Sequence, residues 1–464
     1  MTAALWIAED ARAATGGRLS GPAWAAAGVS IDSRTVQPGD LFVALAGPNH
    51  DGHDHVAGAL AAGAAAALVH RVPAGLADDA PLLVVADTME GLQALGTAAR
   101  ARSAAAIVAV TGSVGKTGTK EMLGRALGEQ GPTHATTGNL NNHWGVPLSL
   151  ARMPREARFG IFELGMNHPG ELTPLTRMVR PHVAIITTVE AVHAAFFSGT
   201  EAIADAKAEI LLGLEPGGVA VLPRDNPHFH RLHAAAQAAG IASVVGFGNH
   251  IEADARLLDC GIDPDSTAVF ALVRDRAIAY RLGVAGIHWA VNSLAVLLAV
   301  GALGGDVDAA GRALKAMAAP KGRGQRRKAA IDGGSIQVVD ESYNASPVSM
   351  RAAIATLAAI KPAKGGRRIA VLGDMLELGE QAPALHAGLA EPLEQWNIDL
   401  VFTAGSLMAA LFGRLPAARR GGHAVDSQAA AAQVRAAVRP GDVVMVKGSA
   451  GSRMGRVINT LCGE

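Results

Sequence analysis

At 464 residues the chain is too long for one ordinary hydrophobic core, and its length suits about three domains. Half of it is apolar, enough for a buried globular fold, while 2 cysteines offer no metal quartet and fit a reducing, cytoplasmic setting. The 41 basic and 41 acidic side chains cancel, which argues against a protein that grips nucleic acid.

In chain order, Glu9, Asp10 and Arg12 interrupt the run that a secretory peptide needs, so no targeting segment is expected. Apolar runs at 40–45 and 81–85, with an alanine-rich helical stretch over 55–67 between them, predict a small α/β domain spanning residues 1–103. A continuous β-type run at 104–110 opens the second domain. Further runs at 159–164, 182–189 and 218–222, separated by helical stretches, predict a mostly parallel sheet covered on both faces, within residues 104–318. No charged residue occurs from 282 to 305, a length that could cross a bilayer. His288, Asn292 and Ser293 fall inside it, and polar groups are costly in lipid, so a buried helix is expected and no membrane span. The glycine- and arginine-rich stretch 319–327 reads as a hinge. Beyond it, runs at 336–340, 368–373, 400–404 and 442–447 predict a third, Rossmann-like α/β unit over 319–464. The fold class is thus α/β in three domains.

The sharpest motif is Thr111-Gly112-Ser113-Val114-Gly115-Lys116-Thr117, directly after a buried strand and before a helix. Glycines let the backbone turn so that amide N–H groups converge on phosphate oxygens, and the helix N-terminus adds partial positive charge. Lys116 can reach the outer phosphates and the Thr117 hydroxyl can ligate Mg²⁺. The pattern is shortened, since Val110 stands where the full phosphate-loop motif has its first glycine. The plain alternative is a glycine turn with a surface lysine; the strand–loop–helix context favours a nucleotide.

This shortened loop resembles that of the Mur ligase family and its folylpolyglutamate synthetase relatives. Matches follow along the whole chain: Thr137-Gly138-Asn139-Leu140-Asn141-Asn142, Glu163-Leu164-Gly165-Met166-Asn167, Ala191-Val192-His193, Ala206-Lys207-Ala208-Glu209, His288-Trp289-Ala290-Val291-Asn292, Asp340-Glu341-Ser342-Tyr343-Asn344-Ala345, Gly373-Asp374-Met375-Leu376-Glu377-Leu378-Gly379 and Lys447-Gly448-Ser449. Two departures are His143-Trp144 after the asparagine run and Arg453 later than the usual Lys-Gly-Ser-Arg spacing.

The resemblance implies an ATP-dependent amide ligase, of the branch that adds D-alanyl-D-alanine to UDP-N-acetylmuramoyl-tripeptide through an acyl phosphate. It implies ATP and Mg²⁺ as cofactors, with the metal held by Thr117, Glu163, His193 and Lys207. An ammonium would repel the ion, so Lys207 makes sense there only as the carbamate common in the family. By the same resemblance Asn292 contacts the purine, Arg323 reaches phosphate after closure, Asp340 accepts from ribose hydroxyls, and Tyr343 and Asn344 follow on the turn. Asn139 and Asn142 would belong to the substrate loop. Ser33 and Arg34 are candidates for the UDP diphosphate, which an arginine fork matches. The cluster from Asn49 to His55 would be a loop beside the UDP-sugar in preference to a metal site. The chain is expected to act as a monomer.

Three other readings were open. The preceding ligase of the family would show an Asp-Asn-Pro-Arg-type motif, which is absent. Folylpolyglutamate synthetase lacks a leading UDP-binding domain. A nucleotide switch would leave the third domain unexplained.

Overall fold

The computed structural model describes residues 4–47, 50–191 and 196–463. Three large sheets organise the chain, beside a two-stranded antiparallel pair of Trp6–Ile7 with Ala25–Ala26. The first has five strands in the order Arg18–Ser20, Leu82–Val84, Ala66–Val69, Asp40–Val43, Gly28–Ser30, parallel except at the Arg18–Ser20 edge. The helix expected over 55–67 is shorter. It runs from Val56 to Ala61, and Ala66–Val69 becomes a fully buried central strand. Alanine's helix propensity yields there to a site covered on both faces.

The central sheet has nine strands, from Thr133–Ala135 at one edge through Phe159–Glu163, Ala106–Thr111, Val183–Ile186, Val219–Pro223 and Ser243–Gly248 to Ala255–Ile262. These pair in parallel, and an antiparallel hairpin, Thr267–Val273 with Arg276–Leu282, extends the far edge. The uncharged stretch forms the helix Ile287–Ala302, whose buried residues pack with the helix Lys116–Gly128 on one face of this sheet. Its polar residues sit at the end nearest the phosphate loop. No helix among the described residues is long and apolar enough to cross a membrane.

The third sheet has six strands in the order Gln325–Ile331, Gly334–Glu341, Val443–Lys447, Arg368–Gly373, Leu400–Ala404, Arg420–Ala424. The first two form an antiparallel hairpin and the rest run parallel between two apolar layers. The second half of the expected hinge is therefore strand, because residues 325–327 pair with 338–340.

The first sheet's domain is fastened to the second. Trp6 Nε1 donates to the Ala151 carbonyl at 2.9 Å and Arg152 Nε to the Val29 carbonyl at 2.6 Å. Leu140, Leu148 and Ala151 join the first domain's core. The asparagine-rich loop preceding them thus lies where the two domains meet.

Candidate active site

In a parallel sheet the carboxyl ends of the strands gather the loops, and ligands bind there. The strand Ala106–Thr111 ends in the phosphate loop, and the neighbouring Phe159–Glu163 ends on its carboxylate. Gly112 and Gly115 both have positive φ, +147° and +90°, where L side chains are strained. A Cβ on Gly112 would lie 1.9 Å from Thr187 Oγ1, and one on Gly115 2.6 Å from Asn292 Nδ2. Thr187 ties the loop down by donating to the Val114 carbonyl at 2.6 Å, and Ser113 is stitched to the Glu190 backbone. Lys116 Nζ donates to the Gly112 carbonyl at 2.7 Å, which curls its ammonium back over the loop. Burial pushes the Lys116 pKa down, Glu163 draws it up, and Arg323 pushes it further down. Arg323 comes from the far side of the domain seam.

A cavity of about 370 Å³ fills that seam, within the range of small-molecule sites. Its central-domain wall is residues 113–118 with His288, Trp289 and Asn292; its other wall includes Arg323, Glu341, Tyr343, Asn344 and Lys447. The Arg323 guanidinium stacks 4.0 Å over the Tyr343 ring, presenting a flat cationic face.

Asp340, the expected ribose acceptor, is placed otherwise. It is buried, its carboxylate accepts from the Ser342 N–H and hydroxyl at 3.0 and 2.6 Å, and it does not line the cavity. Strand alternation sends its neighbour Glu341 to the opposite side, and Glu341 lines the cavity. Lys447 Nζ donates to Glu341 Oε2 at 3.2 Å and to the Asn344 carbonyl at 3.0 Å, which holds this buried ammonium against the cavity wall. The sequence motifs contained Glu341, Lys447 and His288 without marking them; the side of the strand each occupies was the missing information.

Glu163 is 2% exposed. Asn141 Nδ2 donates to its Oε1 at 2.8 Å, while Oε2 is buried with no partner. An orphaned carboxylate oxygen is costly to bury, and a divalent cation is the species that would satisfy it. Asn141 was missed, since sequence reasoning chose its neighbours. Asn139 is exposed, and Asn142 accepts from the Gly145 N–H at 2.9 Å, starting the next helix.

Lys207 is 2% exposed, and burial, then the Lys116 charge, drives its pKa well down. As an ammonium it does not fit a cation site; as an anionic carbamate it does. His193 lies outside the described residues, as does Asn49. Among the described residues no three His, Cys, Asp or Glu side chains gather as a metal cage. In particular His53 is occupied structurally, with Nδ1 2.6 Å from Asp51 and Nε2 accepting the His70 N–H at 3.1 Å. Arg34 projects into solvent and pairs with Asp32 at 2.7 Å; Ser33 lies beside it, half-buried.

A two-walled nucleotide cavity on a parallel sheet, with a buried carboxylate beside the phosphate loop, defines an ATP-dependent ligase architecture. Comparison with known proteins agrees. Residues 110–300 match the Mur ligase middle domain, 322–450 the Mur ligase glutamate ligase domain, and 26–96 the Mur ligase family catalytic domain. The chain belongs to the Mur ligase family. Among its relatives are two UDP-N-acetylmuramoyl-tripeptide–D-alanyl-D-alanine ligases. That of Escherichia coli is 33% identical and covers 96% of both chains; that of Rickettsia prowazekii is 30% identical and covers 93% of this chain and 94% of the relative. A MurF crystal structure from Acinetobacter baumannii superposes with a TM-score of 0.86 at 30% identity, over 99% of each chain. The MurF ligase of Thermotoga maritima in complex with ADP gives 0.78 at 28% identity, over 94% of this chain and 97% of that one.

Proposed function

We propose that this chain joins D-alanyl-D-alanine to UDP-N-acetylmuramoyl-tripeptide at the expense of ATP, forming the pentapeptide precursor of peptidoglycan. The observation that carries the reading is the convergence of Lys116 and Arg323, from two domains, on one cavity walled by the phosphate loop. A site closed only when both domains meet suits a reaction that passes through a water-sensitive acyl phosphate.

Each residue then has a task. The phosphate-loop N–H groups and Lys116 hold the outer phosphates of ATP, and Arg323 neutralises charge from across the seam. Asn292, Tyr343 and Glu341 all line the cavity, where Asn292 would contact the base and Glu341 would offer a carboxylate to the nucleotide. Thr117, Glu163, His193 and a carbamylated Lys207 would hold Mg²⁺, which when bound draws negative charge from phosphate and carboxylate oxygens. Burial and the nearby Lys116 charge lower the Lys207 pKa, which favours the neutral amine, the form that takes up CO₂. Asn139 and Asn142 lie on the loop that faces the UDP-sugar domain, with Ser33 and Arg34 as its diphosphate contacts. The reaction would take place in the cytoplasm, on a monomer.

ADP release by the purified chain tests this. It should require both UDP-muramoyl tripeptide and D-alanyl-D-alanine, and mass spectrometry should show the pentapeptide. Hydrolysis of ATP at the same rate without either substrate would refute the assignment.

A further inference from the structure

Lys120 lies one turn beyond Lys116 on the helix Lys116–Gly128, and it is one of the largest fully buried side chains in the molecule. An apolar side chain would fill that space at lower cost, because a buried ammonium must recover its lost hydration from protein partners. This one donates to the Thr136 carbonyl at 2.8 Å and the Gly138 carbonyl at 3.4 Å, and it pairs with Glu121 at 2.9 Å. Both carbonyls belong to the entry of the loop that carries Asn139, Asn141 and Asn142.

The contacts continue from there to the reacting centre. The Thr136 hydroxyl accepts the backbone N–H of Glu163 and the Ser149 hydroxyl, each at 3.3 Å. The Asn141 carbonyl accepts the Gly165 N–H at 2.7 Å, and its side-chain amide holds Glu163 Oε1. One connected set of bonds therefore runs from the phosphate-loop helix, through Lys120 and the loop entry, to the carboxylate whose other oxygen is orphaned.

We infer that Lys120 is a positioning residue of the ligation reaction. It locks the start of the acceptor-side loop to the helix that presents Lys116, so that Glu163 keeps one oxygen bound by Asn141 and the other free for the metal. The inference rests on the proposed ligase activity and adds a residue that never touches ATP.

Steady-state kinetics of the full chain with ATP, MgCl₂, UDP-muramoyl tripeptide and D-alanyl-D-alanine test it. Lys120→Met should raise half-saturating Mg²⁺ and the KM for the tripeptide by about ten- to a hundredfold, the usual weight of a charged hydrogen bond. The KM for ATP should stay within about twofold, and Lys120→Arg should recover most of the loss. Lys120 would be merely structural if all three constants moved together, or if only the active fraction fell. Should Lys120→Met not fold, Thr136→Val breaks the same chain at the hydroxyl and must show the same split; its absence overturns the inference. Wild-type ADP release independent of the tripeptide would instead overturn the ligase reading itself.

Discussion

At the scale of single residues, Lys116 and Lys207 are both lysines in a site that gathers negative charge, and they differ in what surrounds them. Lys116 has Glu163 nearby and the Gly112 carbonyl to donate to, so it can remain an ammonium ready for phosphate. Lys116→Ala should lower ligation at least ~10²-fold while the melting temperature stays unchanged, because a preorganised cation is lost and no core is disturbed. Turnover assays beside thermal melts check this. At Lys207 burial and the Lys116 charge both act against the ammonium. Lys207→Ala should be inactive and partly rescued by formate or acetate, and ¹³C-labelled bicarbonate should give a carbamate resonance in the wild type alone. Since the neutral amine is the reactive form, that signal should fade as pH drops through the lowered pKa.

One buried and one half-buried histidine contribute to the acid sensitivity of the fold. His53 accepts the His70 N–H and His182 Nδ1 accepts the Ile107 N–H at 2.9 Å, so each must stay neutral at that nitrogen. Burial holds both pKa values below the ordinary histidine value, helped at His182 by Arg100. Between the lowered folded value and about 6.5 the unfolded chain binds more protons, so stability rises with pH there and falls on acidification. The melting temperature should drop from about pH 7.5 to about pH 5.5, and His182→Asn should flatten that slope.

At the scale of elements, the phosphate loop works because strand, turn and helix agree. The buried strand Ala106–Thr111 fixes where the turn begins, and the helix Lys116–Gly128 fixes where its N–H groups point. The helix Ile287–Ala302 closes the loop from above with Asn292. Gly115→Ala should therefore cost ATP affinity about tenfold, combining ~1–2 kcal/mol of left-handed strain with displacement of Asn292. Calorimetric titration with a non-hydrolysable ATP analogue should show it, with UDP-sugar binding unaltered. These elements were legible because a buried parallel strand reads as a continuous apolar run and the loop's glycines have a chemical reason. The edge hairpin over 267–282 was not legible as part of the same sheet. Its alternation is that of a half-exposed strand, and nothing local says which sheet it joins.

At the scale of the whole molecule, the nucleotide cavity belongs to neither domain alone. Its two walls are separated in sequence by the segment before Gln325, and Arg323 sits in that segment, stacked on Tyr343. Binding energy from ATP would thereby be coupled to the approach of the third domain. Small-angle scattering should show a smaller radius of gyration with ATP analogue and UDP-tripeptide than without. Arg323→Ala should weaken that compaction and lower ligation far more than it weakens UDP-sugar binding. An unchanged radius in the wild type would remove Arg323 from closure.

Local chemistry reached the level of the sequence wherever a short segment carries its own reason. The apolar runs separated by helical stretches implied the α/β class, the glycines of 111–117 implied a bound nucleotide, and the family resemblance along the whole chain implied an ATP-dependent ligase. Tertiary structure alone decided which members of each motif face the site. Asp340 and Glu341 are adjacent carboxylates with similar prospects on paper, yet the pleat sends one to Ser342 and the other to the cavity. Among Asn139, Asn141 and Asn142, only the middle one bonds Glu163, in a loop whose entry is held at Thr136 and Gly138 by a lysine on another element. A side chain's direction depends on contacts distant in sequence, and those exist only once the sheets and domains have come together.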